Sequence, residues 1–285
     1  MGDDKKRIDL VQRYAEKLRR ETPPPQIDID APPPPPPPPF TGARRRIEID
    51  LGALVRAGFV PETGRRSVLA EEFRVLKRPL LMRAKTLPNG RLILVTSARP
   101  GEGKTFTAVN LGLSMASERD TAVLLIDADP RRRGLSRRLG MTAEKGLIDL
   151  LCEDGLAPES LVLDTQVPGL SLLPPGRDHP QTTELLASRR MAEVAAALLD
   201  ADPRRVVLID APPVLATSEP SALALHAGQT LVVVEKDRTT RHAVRRTLAL
   251  LENCRHVSFV LNKTLFGIGS ERFADYAGYM ADETK

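Results

Sequence analysis

The chain has 285 residues, 41% of them hydrophobic, and a formal net charge of +5. That length supports one sizeable core in one or two domains, and so mild a charge permits contact with nucleic acid or an anionic membrane without arguing for either. The two cysteines, Cys152 and Cys254, stand far apart in no metal-ligand spacing, which argues against a disulfide framework or zinc site and fits a reducing cytosol.

The N-terminus, MGDDKKRIDL, has no signal-peptide core and no Ser or Thr at position 6 for myristoylation. No apolar run approaches the ~20 residues that span a bilayer. Residues 3–21 predict a short charged helix in which Ile8, Val11, Tyr14 and Leu18 make a thin apolar stripe, either solvated or available to a partner. Residues 22–40 hold Pro23–Pro25 and the unbroken run Pro32–Pro39, expected to be a disordered but stiff polyproline spacer. Arg44–Arg46 read as a solvated charge run. Segment 1–46 is therefore expected to be an N-terminal helix and Pro-rich linker, followed by a folded domain over 47–266 and a flexible tail over 267–285.

Within the folded domain, 68–85 reads as a helix and 92–97 (LILVTS) as a fully buried strand. A helix over 104–118 follows, then a strand at 122–127 (AVLLID) and another at 170–174. Residues 183–199 read as one amphipathic helix. Strands at 206–210, 231–235 and 257–262 complete the series, with helices over 219–226 and 240–252 between them. Apolar strands alternating with helices predict an α/β fold with a mostly parallel sheet covered on both faces.

Three segments carry chemistry. The first is Ala98-Arg-Pro-Gly-Glu-Gly-Lys-Thr105, between a buried strand and a helix start. Loop N–H groups and a positive helix end suit polyphosphate, so Pro100, Gly101, Glu102, Gly103, Lys104 and Thr105 are the expected nucleotide site. Lys104 reaches the β- and γ-phosphates, and the Thr105 hydroxyl ligates Mg²⁺ that enters with ATP. The general pattern begins with glycine; alanine stands there in this chain. The second segment ends a strand on Asp127 and Asp129. Ligands bind at that edge of an open α/β sheet, and strand alternation would aim both carboxylates the same way, to hold metal or accept a hydroxyl proton. The third, VVLIDAPP, ends a strand on Asp210, the expected second carboxylate near Mg²⁺.

The ordered set PGEGKT, LLIDADPRR and VLIDAPP resembles the P-loop bacterial tyrosine kinases of capsule and exopolysaccharide systems. It is closest to the exosortase-associated tyrosine autokinases, which AEEFRVLKRPLL (70–81) and LPPGRDHPQTTELLAS (173–188) also resemble. The likeness runs from about Val68 to Asn262. It implies ATP-dependent tyrosine autophosphorylation. Lys104, Asp127 and Asp129 would be catalytic; Thr105, Asp129 and Asp210 would form the metal site; Asn262 would contact the base. It also implies a homo-oligomeric ring built on a Glu-x-x-Arg-x-x-Arg helix, matched by Glu71, Arg74 and Lys77. The polar tail holds two of the three tyrosines, Tyr276 and Tyr279, the implied phosphoacceptors. The further implied partner is a separate inner-membrane adaptor for polysaccharide export, with the kinase cytoplasmic and peripheral to that membrane and no nucleic-acid partner. Two alternatives share these motifs: a switch ATPase of the ParA or MinD type, and a non-catalytic ATP-binding scaffold. The first usually carries a lysine where Arg99 stands.

Overall fold

The computed structural model describes residues 42–60, 67–142, 145–254 and 256–264. The helix expected at 3–21, the proline spacer and the tyrosine tail lie outside the described residues.

Eight strands form one sheet. In chain order they are β1 (Arg45–Ile47), β2 (Leu92–Ser97), β3 (Ala122–Asp127), β4 (Leu163–Thr165), β5 (Leu170–Leu173), β6 (Arg205–Asp210), β7 (Gln229–Glu235) and β8 (Val257–Asn262). Their order in space is β1-β4-β5-β3-β6-β2-β7-β8. All neighbours are parallel except β4 and β5. The central strands β2 and β6 are buried along their whole length, as continuous apolar runs require when both faces are covered.

One face carries α1 (Leu51–Arg56), α2 (Val68–Thr86), α3 (Lys104–Ala116) and α4 (Gly134–Leu139). Their residues Leu54, Phe73, Leu80, Leu111 and Leu135 join Ile93, Val95 and Leu125 of the sheet in one core. The opposite face carries α5 (Leu147–Cys152), α6 (Thr182–Ala187), α7 (Arg189–Asp200), α8 (Glu219–Ala224) and α9 (Arg241–Leu250). There Leu150, Leu186, Met191, Val194 and Leu223 meet Leu94, Leu124 and Val207. Successive strand residues point to opposite faces, so each apolar strand feeds both cores at once.

Two expectations need correction. The amphipathic stretch 183–199 is two helices. Ser188 is extended (φ −73°, ψ 161°), and its hydroxyl accepts from Met191 N at 3.3 Å, capping α7. The apolar period runs through the break because Leu186 and Met191 bury against the same core. Of the run Arg44–Arg46, Arg45 and Arg46 are exposed as expected, but they begin a strand and Arg44 is paired. Arg45–Ile47 form edge strand β1, parallel to β4. Arg44 pairs with Glu159 and Asp164, and Glu159 also pairs with the buried Arg205. A strand of three residues is too short to show a period, which is why neither β1 nor β4 is legible in the sequence.

Candidate active site

The phosphate loop leaves the end of β2 and closes at α3. Gly101 (φ +84°) and Gly103 (φ +103°) adopt left-handed backbone, which glycine takes without a Cβ penalty. At Gly103 a Cβ would stand 2.0 Å from Asn262 Nδ2, so a larger residue would have to displace that side chain as well as bear the positive φ. No side chain caps the start of α3. Its first N–H groups, with the positive end of the helix dipole, are thus available to an anion.

Register sets the acids. β6 lies between β3 and β2, and Asp127 is the register partner of Asp210. Asp210 Oδ2 accepts from Thr105 Oγ1 at 2.7 Å, and its Oδ1 meets Lys104 Nζ at 3.3 Å. Burial pushes the Asp210 carboxyl up to about 6, against the opposing pull of Lys104. Asp127 is fully buried. Its Oδ2 accepts from Ser136 N at 2.9 Å and Ser136 Oγ at 2.7 Å, and its Oδ1 from Asp129 N at 3.1 Å. Burial again raises the carboxyl, partly offset by the Ser136 bonds.

Strand alternation does not extend to Asp129. β3 ends at Asp127, and Asp129 enters a turn where its Oδ1 accepts from Arg132 N at 3.0 Å. The two carboxylates therefore face different partners. Asn262 lies at the end of β8 with its Nδ2 donating to Glu102 O at 2.9 Å, so strand end and phosphate loop touch.

Thr105 and Asp210 offer hard oxygens of the kind Mg²⁺ takes. Among the described residues no group of three or more His, Cys, Asp or Glu could hold a metal by itself.

Glu71 and Arg74 pair with each other at 2.9 Å on α2. Lys77 is a correction. It is 4% exposed, and its Nζ donates to Ser114 O at 2.5 Å and meets Glu118 Oε1 at 2.7 Å. It neutralises the carbonyl end of α3 instead of facing another subunit. Tyr276 and Tyr279 lie outside the described residues. Ser136 and Thr239, both bonded to site carboxylates, were not foreseen. Ser136 sits among arginines after Asp129, and Thr239 is one of two adjacent threonines, of which Thr240 caps α9. Nothing local marks either one.

A family model described as an AAA domain matches residues 90–265. Among characterised proteins, the tyrosine-protein kinase wzc of Salmonella typhimurium is 32% identical over 192 residues, covering 66% of this chain and 26% of that protein. The tyrosine-protein kinase YwqD of Bacillus subtilis is 27% identical over 228 residues, covering 80% and 93%. The chain spans about a fifth to a quarter of the length of several curated relatives that it matches. Among solved structures, the chimerical protein CapA2B2 superposes with a TM-score of 0.65 at 25% identity, covering 78% of this chain and 92% of that one.

Proposed function

Because the chain belongs to the AAA-domain family and, within it, to the bacterial tyrosine kinases, we propose that it transfers the γ-phosphoryl group of ATP to tyrosines of a second copy of itself, in the control of exopolysaccharide or capsule synthesis. The observation that carries this reading is the pairing of Asp127 with Asp210 beside the Lys104–Thr105 corner. A hydrolytic switch needs a positioned water; a kinase needs a positioned alcohol in its place and a base for the alcohol's proton, and the second strand-end carboxylate supplies that base.

In this reading the loop amides and Lys104 hold the β- and γ-phosphates. Thr105 and Asp210 would hold Mg²⁺, with Asp129 as the further acid of the metal site. The bound ion neutralises charge that develops between the phosphates. The tyrosine oxygen attacks phosphorus, the bond to the ADP oxygen breaks, and the phenol proton passes to Asp127. Burial raises the Asp127 carboxyl, which brings it closer to the phenol and makes it a better proton acceptor than an exposed aspartate. Asn262 contacts the base. Tyr276 and Tyr279 are the acceptors, and Glu71 with Arg74 contributes to a subunit interface.

No helix among the described residues is long and apolar enough to cross a membrane. An inner-membrane adaptor is proposed as the link to the polysaccharide machinery on the strength of the chain's likeness to the bacterial tyrosine kinases. The deciding experiment mixes Lys104→Ala protein, as acceptor, with active enzyme carrying Tyr276→Phe and Tyr279→Phe. After incubation with Mg-ATP, the tail of the Lys104→Ala chain should gain phosphate, mapped by mass spectrometry. ATP hydrolysis without phosphotyrosine would reject the kinase in favour of a switch ATPase. Nucleotide binding with neither product would leave a scaffold.

A further inference from the structure

The phosphate loop is tied to the β7–β8 end of the sheet, of which the chemistry above uses only Asn262. Glu102 is fully buried. Its Oε2 accepts from Arg99 N at 2.8 Å, and its Oε1 accepts from Thr239 Oγ1 at 2.5 Å. The same Thr239 oxygen accepts from Glu235 N at 2.9 Å. The Thr239 hydroxyl thus donates to Glu102 and accepts from the Glu235 amide, using its one proton and one lone pair. From the next strand, Asn262 Nδ2 donates to Glu102 O and Lys263 Nζ to Gly101 O, each at 2.9 Å. Lys263 is itself held by Glu235 Oε2 at 3.1 Å.

These ties fix directions. In a trans peptide the C=O of one residue and the N–H of the next point opposite ways, and the described backbone has no cis bond. Lys263, by holding the Gly101 carbonyl, turns the Glu102 N–H the other way. Asn262, by holding the Glu102 carbonyl, does the same for the Gly103 N–H. Those amides belong to the loop that would cradle phosphate.

We propose that Thr239 and Lys263, acting through Glu102 and the Gly101 carbonyl, are positioning residues that lock the loop amides in their anion-binding orientation before nucleotide arrives. The inference rests on the loop being a nucleotide site. It makes the β7–β8 edge part of the phosphate-binding machinery, so that distorting the segment after β7 would weaken ATP binding without touching ATP. A loop already locked pays little ordering entropy when it binds.

The test is the affinity for Mg²⁺ with a fluorescent ATP analogue, together with steady-state phosphotransfer. Thr239→Val keeps the shape and removes the hydroxyl, and should weaken nucleotide affinity by about tenfold, the size of one buried charged hydrogen bond. KM for ATP should rise accordingly, with kcat at saturation changed less than about twofold. Thr239→Ser restores the hydroxyl and should restore both. Lys263→Met alters an exposed side chain, puts no core contact at risk and should weaken binding about threefold. Wild-type affinity in both Thr239→Val and Lys263→Met overturns the lock, as does a Thr239→Val defect confined to thermal stability. Wild-type protein that binds no Mg-ATP overturns the nucleotide reading and the lock with it, whereas absence of phosphotyrosine alone leaves the binding arm intact.

Discussion

Asp127 and Asp210 close adjacent parallel strands at the same register step, and each is held by a different hydroxyl: Ser136 Oγ at 2.7 Å and Thr105 Oγ1 at 2.7 Å. The sheet brings two buried carboxylates to one edge, and their partners give them separate tasks. Asp210 is tied to the loop residues that meet phosphate, and Asp127 to the start of α4.

Asp127→Asn keeps the shape and removes the charge. In the proposed mechanism autophosphorylation should fall by about 10²-fold or more, the scale of a general base. Mg-ATP affinity should fall much less. The amide would also set an N–H against the Ser136 or Asp129 donors, at a stability loss of about 1–3 kcal/mol. Calorimetry and a phosphotyrosine assay on the same preparation separate the effects. Normal autophosphorylation would deny Asp127 any role as base.

The raised Asp210 carboxyl makes a pH prediction with a definite sign. Below its ordinary value of 3.8 the group is protonated whether the chain is folded or not. Between there and about 6 the unfolded chain ionises first. As pH rises through that window, the nucleotide-free fold loses stability, by about 3 kcal/mol in full. Denaturant unfolding of wild type and Asp210→Asn from pH 4 to 8 isolates the group. The variant's advantage should grow with pH and level off near neutrality. A constant difference across the range would contradict the buried, weakened acid.

Lys77→Ala should lower stability by about 2–4 kcal/mol. It leaves Ser114 O without its cation and opens space between α2 and α3. Glu71→Ala, on a more exposed pair, should change stability by less than about 1 kcal/mol. Thermal unfolding of both variants makes the comparison. Equal losses would mean that Lys77 is not holding the end of α3.

Removing residues 1–40 should leave trans-phosphorylation in solution intact and release the protein from the membrane fraction. The motive is the Ile8–Leu18 stripe beyond a stiff proline run, which suits a docked end standing off from the catalytic body. Unchanged membrane association of the shortened chain would reject the docking role.

The sequence by itself determined the phosphate loop and the main strands of the sheet, because those signals are local. A continuous apolar run is a strand buried on both faces, and Gly-Lys-Thr between strand and helix leaves little else for the backbone to do. Leu92–Ser97, Ala122–Asp127 and Val257–Asn262 lie where their apolar runs put them. Tertiary structure alone decided which strands are neighbours, and with that which acid meets which group. Asp210 stands beside the loop because β6 pairs with β2, whereas Asp127 lies one strand further out. Nothing in a helical period distinguishes Lys77 from an exposed lysine until α3 ends against it. The bond between Glu102 and Thr239 joins residues 137 positions apart. Such contacts are set by how the layers close, and periodicity, which reports only which face of an element is buried, cannot carry them.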